Sequence, residues 1–217
     1  MSTKNIRGTF PRPAFALAAA MLTFSASAHE IVYQGRATAA SGNVTVLSQT
    51  HKMLIADVGM SCTGDSREEV VAAAQNPAPL ALQANDVRSA AQGVDGVAAT
   101  ESGMQEILLE VPGVTISADQ IQSFAQAECK SDETVEVSGG STLNNVNVNG
   151  KRITITGEPN QKISIPSVAT ITFNEQVRYS REFRAVGIHV QLADPSMPAS
   201  GDVQIAAARA KIKTCEM

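Results

Sequence analysis

Val146-Asn147-Val148-Asn149-Gly150-Lys151-Arg152-Ile153-Thr154-Ile155 carries the clearest fold signal in the chain. Asn149-Gly150 is the preferred pair for a two-residue type I′ turn, because both central positions need positive φ. That turn sets Val148 opposite Lys151 and Val146 opposite Ile153. Val146, Val148, Ile153 and Ile155 then share one apolar face, and Asn147, Arg152 and Thr154 share the other. The segment is a half-buried β-hairpin.

Working outward, short β-prone runs recur on both sides. Residues 31–38, 43–49 and 52–58 read as strands punctuated by Ser41-Gly42 and Thr50-His51. Residues 94–100 and 105–111 are separated by Glu101-Ser102-Gly103, and Pro112-Gly113 follows as a turn. Residues 114–129 read two ways. Ile121, Ser123, Ala125, Ala127 and Cys129 alternate as a strand face, while the Ala-rich stretch 120–128 also suits a helix. Gly139-Gly140-Ser141 reads as a turn before Leu143. Residues 162–165, 169–173, 176–180, 185–192 and 203–212 complete the series, with turns at Glu158-Pro159-Asn160, Asn174-Glu175 and 194–201. One segment breaks the pattern. Residues 66–74 predict a short helix, with Ser66 as N-cap and Glu69 completing a capping box, ended by Asn76-Pro77-Ala78-Pro79. Many short strands at regular spacing predict an all-β protein, an antiparallel β-sandwich or a barrel-like closure of one, with at most one short helix.

The N-terminus predicts export. Lys4, Arg7 and Arg12 form a positive region without acids, residues 14–24 are uncharged and apolar, and Ala26-Ser27-Ala28 supplies the small residues of a cleavage site. The apolar run is too short to span a bilayer as a helix and has no polar face to show to water. We therefore expect a signal peptide over 1–28, a single β-rich domain over 29–217, and a secreted or periplasmic location. No cysteine closely follows the apolar run, and residues 209–217 are short and charged. A free, soluble product without a membrane anchor is the expectation. Cleavage leaves 14 Lys and Arg against 21 Asp and Glu, moving the net charge from −4 to about −7, which disfavours nucleic acid as a partner. Aromatics make up 4% of the chain and Trp is absent, which disfavours a sugar platform.

Cys62, Cys129 and Cys215 in an oxidising compartment predict one disulfide and one spare thiol, with three pairings open. Their scattered positions do not suit a three-cysteine metal site. A different metal site is conceivable at the mature terminus. Cleavage after Ala28 makes His29 the first residue, whose amine and ring can bind copper if His51 or His189 supplies a second imidazole. Hydrolytic constellations are not evident: there is no Gly-x-Ser-x-Gly elbow. Asp57, Asp119, Glu158 and Glu175 are separated carboxylates without a certified pairing, and each reads as a solvated strand-end or turn residue.

Residues 150–161 (GKRITITGEPNQ), 163–166, 171–176, 187–190 and 201–208 leading to Cys215, together with Gly35-Arg36-Ala37, Ala56-Asp57-Val58-Gly59 and an Ala-x-x-x-Cys ending at Cys129, resemble the choice-of-anchor P family of secreted bacterial proteins. The resemblance is strongest from Val146 onward. It implies an exported surface or matrix-type β protein rather than a reaction, and a strand for 114–129. It also implies the pairing Cys129 with Cys215, leaving Cys62 as the free thiol. The expected function is thus a non-enzymatic extracellular structural or adhesive protein, without a cofactor, working by self-association or as a cell-surface or matrix component. A copper-binding protein using His29 is the alternative, and a hydrolase or inhibitor whose site assembles only in three dimensions is the third.

Overall fold

The computed structural model describes residues 31–61, 65–193 and 199–215. Within them thirteen strands form two antiparallel sheets packed face to face as a sandwich, and no helix is present among the described residues. The first sheet has the order β10 (Gln161–Ile165), β11 (Ala169–Arg178), β12 (Glu182–Ala193), β13 (Ala199–Thr214), β1 (Val32–Val46), β2 (Gln49–Met60). The second runs β3 (Ser66–Asn76), β4 (Ala81–Val94), β5 (Val97–Val111), β6 (Val114–Cys129), β8 (Asn147–Val148), β9 (Lys151–Arg152), with β7 (Val135–Asn144) also paired to β6.

The hairpin forms about its expected turn, but its ladder is short, reaching from Val146 to Ile153, and residues 154–155 are not strand. Asn147 pairs with Arg152 and Val148 with Lys151, and the Ile153 amide donates to the Val146 carbonyl at 2.9 Å. Asn149 and Gly150 take φ of 49° and 76°, the two positive values of a type I′ turn. Val146 and Val148 are buried and Arg152 is exposed.

The expected helix at 66–74 is instead strand β3. It pairs with β4 from Ser66↔Gln92 to Asn76↔Leu82. A helix this short gains too little alone to repay its nucleation, and Val70-Val71 lose side-chain freedom in one. Pairing along the edge of an existing sheet satisfies the same backbone groups and accepts β-branched residues.

Several expected turns also lie inside strands: Ser41-Gly42 in β1, Thr50-His51 in β2, Glu101-Ser102-Gly103 in β5, Gly139-Gly140-Ser141 in β7 and Asn174-Glu175 in β11. For Ser41-Gly42, Glu101-Ser102-Gly103 and Asn174-Glu175 the cause is a crease. In β13 the inward residues are Val203 and Ile205, then Ala206, Ala208, Ala210 and Ile212; in β5 they are Ala98 to Met104 on even numbers, then Ile107, Leu109 and Val111 on odd ones. The inside and outside faces exchange phase part-way along each strand, as at a β-bulge. In the first sheet the exchange runs in one line through Ala56, Ala39, Ala206, Gly187 and Asn174, which face each other between the flanking pairs. On alternate strands Ala56, Ala206 and Asn174 adopt φ of 44°, 53° and 49°. Asp86 and Glu106 do the same in the second sheet. On these strands one residue leaves the extended form while the register is kept on both sides, a conformation that Asn174 and Asp86 accept more readily than alanine or glutamate.

The crease divides the interior in two. The larger cluster includes Leu80, Leu82, Ile116, Ile171 and Phe173; the smaller gathers Tyr33, Met60, Phe183 and Ile212 around Cys129 and Cys215. Those two cysteines form a disulfide that ties β6 to the chain just after β13, with Cα atoms 5.6 Å apart. Such a bond fits an oxidising compartment. Cys62, expected as the free thiol, lies outside the described residues.

Candidate functional site

Of the three histidines considered for copper, His29 lies outside the described residues. His51 and His189 belong to one sheet but are not brought together. His51 pairs with Val44 on β1, whereas His189 sits three strands away on β12, opposite Gln204 and Thr172. Strand spacing alone separates the two by about 14 Å. Both ring nitrogens of His189 are also engaged: Nδ1 by Glu175 and Nε2 by Asp202 at 2.5 Å. Two carboxylates on one ring hold it as the doubly protonated imidazolium, which has no lone pair for a metal. Burial pulls its pKa down, but the hydrogen bonds and charges of Asp202 and Glu175 outweigh that and raise it from 6.5 to about 9. The partner carboxyl of Glu175 is held below its ordinary value by the same hydrogen bond.

His189 belongs to a larger polar arrangement on the outer face of the first sheet. The register places Arg36 opposite Arg209 and Arg209 opposite Arg184, so three arginines occupy one cross-strand row on consecutive strands β1, β13 and β12, with Val177 of β11 beyond them. Their neighbours Ala37, Ala185 and Ala210 face the interior. Arg36 grips Asp57 with two hydrogen bonds of 2.8 and 2.7 Å, and Thr38 adds a third to the same carboxylate. Arg209 grips Glu182 likewise, at 2.7 and 2.9 Å, with Lys211 also near. Asp57 and Glu182 are held below the usual carboxylate range chiefly by these guanidinium hydrogen bonds. Arg184 differs. Among the described residues its guanidinium donates to a neutral acceptor, the side-chain oxygen of Gln204, at 2.7 Å.

Over this row runs an open groove of about 330 Å³ that spans the crease, with the arginines, Val177 and Tyr179 on one side and Ser41, Leu54 and Gln204 on the other. Leu54 and Tyr179 are 60% and 58% exposed at its walls. Chemically the groove offers planar hydrogen-bonding side chains, one aromatic face and local positive charge. Of the carboxylates singled out by sequence, Asp57 and Glu175 enter this network, and Asp119 accepts a hydrogen bond from Asn145 elsewhere. The arginine row was missed because positions 36, 184 and 209 become neighbours only through register.

The second feature is a side of the sandwich that no further strand covers among the described residues. β2 and β3 are the outermost strands of their respective sheets and pack against each other. β3 is exposed along nearly its whole length, with Val70 at 64%. The segment Val70-Val71-Ala72-Ala73-Ala74-Gln75 carries no charge and no proline. Charged residues flank it only at Arg67, Glu68 and Glu69.

Compared with protein families, with curated proteins and with solved structures, the chain matches none.

Proposed function

We propose that the chain is a secreted, non-enzymatic surface or matrix protein that assembles through its open sheet edges. The observation that carries this reading is β3, an eleven-residue edge strand whose central segment has none of the charges, prolines or bulges that blunt edges in monomeric proteins. Exposed backbone donors and acceptors along such an edge pair readily with another strand. Because β2 of the other sheet ends on the same side, a second copy docking there extends both layers at once. Two further points support the reading: the export pattern at residues 4–28 and the disulfide.

The test is sizing and electron microscopy of the mature protein beginning at His29, across a wide concentration range. Growth into larger species with concentration is expected, and its loss in a Val70→Lys, Ala72→Lys double variant that melts like the parent. A parent that stays monomeric at high concentration overturns the proposal, as does a double variant that assembles unchanged.

A further inference from the structure

The outer groove of the first sheet goes beyond assembly. Like charges directly opposite one another on neighbouring strands destabilise a sheet, yet Arg36, Arg209 and Arg184 stand in such a row. Asp57 and Glu182 neutralise the first two through forked pairs. Arg184 forms no such pair among the described residues: Gln204 takes one of its five donors, and Glu175 meets its charge only through space. Arg184 lines the same groove as the exposed ring of Tyr179. We propose that this groove binds a carboxylated sugar, a uronate unit of an acidic polysaccharide, with its carboxylate on Arg184 and its ring against Tyr179.

Three considerations select this ligand class. A guanidinium with spare donors matches a carboxylate in a forked geometry. The groove lies on a sheet face, where the backbone is already paired within the ladders, so an extended acidic peptide would find no main-chain partners there. Sugar hydroxyls, in contrast, are matched by the Glu182 and Gln204 side chains of the groove, each already oriented by an arginine. From His29 onward 14 Lys and Arg face 21 Asp and Glu, a net charge of about −7, so attraction is confined to the groove. Recognition of single acidic units, rather than of dense polyanions, follows.

The experiment is calorimetric titration of the mature protein with tri-galacturonic acid, with maltotriose as the neutral arm and tri-glutamate as the peptide arm. Tri-galacturonic acid is expected to bind about tenfold or more tightly than either. Arg184→Gln is expected to lose that advantage, Arg184→Lys to recover part of it, and Tyr179→Ala to weaken binding to both sugars alike. Arg88→Gln, on the other sheet, is the control and leaves binding unchanged. All variants are compared by thermal melting first. Equal affinity for tri-galacturonic acid and tri-glutamate, undiminished binding by a folded Arg184→Gln protein, or no measurable binding of tri-galacturonic acid overturns the proposal.

Discussion

Replacing His189 by Gln tests the energetics of the polar face directly. In the wild type the imidazolium is 10% exposed, donates to Glu175 and Asp202, and is flanked across the strands by Thr172 and Gln204. Arg184 also acts on Glu175 through space. A folded-state pKa of about 9 against 6.5 corresponds to about 3 kcal/mol of folding free energy. The sign follows from the direction. A group whose pKa rises on folding stabilises fully below its unfolded value, and that contribution is lost as pH rises from 6.5 through about 9. Glu175 works the other way: its pKa falls on folding, so its contribution is present above 4.5 and is lost as pH falls through the depressed value. Together they place the clamp's greatest effect between pH 4.5 and 6.5.

Urea unfolding of wild type and His189→Gln between about pH 6 and about pH 10 measures this. The wild type should lose about 3 kcal/mol over that range, and the variant should be less stable at the acidic end with most of the alkaline loss gone. The proton resonances of the ring supply an independent reading of its titration. A ring that titrates near 6.5, or identical slopes for the two proteins, would refute the reasoning.

Other consequences are more local. Changing Cys129 and Cys215 together to Ser opens a bridge between residues 86 apart, and the loop-entropy cost is about 4.6 kcal/mol, read as a lower urea midpoint. A Cβ added at Gly187 collides with Ile121 of the facing sheet, so Gly187→Ala should cost about 2 kcal/mol in denaturant unfolding. Gly150 has φ of 76° but open space around it; Gly150→Ala should cost only about 1 kcal/mol, from backbone strain alone. Asn174 accepts from the Ser141 amide of the other sheet and donates to the Gly157 carbonyl. Its replacement by Ala leaves both unpaired and should lower stability by about 2 kcal/mol by the same measurement.

The fold was legible wherever one local signal sufficed. Asn149-Gly150 announced its turn because its chemistry permits little else, and Pro112-Gly113 did the same between β5 and β6. The turn between β1 and β2 was displaced from its expected place. Leu47 and Ser48 both take positive φ there, at 48° and 67°, although neither is a residue that favours it. The crease hid the long strands. A strand whose apolar residues move from odd to even positions part-way resembles two short strands and a turn, since alternation is the only local cue. Ser41-Gly42 and Asn174-Glu175 were read as breaks for that reason. Gly139 differs: it is needed where the Phe183 ring approaches, 2.5 Å from any added Cβ, rather than for a turn.

The same packing bears on how composition is read for function. Five aromatics lie beyond residue 28, and Tyr33, Phe173 and Phe183 are buried. Sheets that bring Gly187 against Ile121 and Gly93 against Tyr33 leave little interior volume for large rings, and a line of alanines carries the crease. Low aromatic content is therefore a property of this interior. The remaining two rings, Phe124 and Tyr179, are 50% and 58% exposed on opposite outer faces. A whole-chain percentage argues against a sugar platform only when aromatics are distributed without regard to position. Here one of the two exposed rings stands at the wall of the one groove that also presents the arginine row, so the local arrangement outweighs the average.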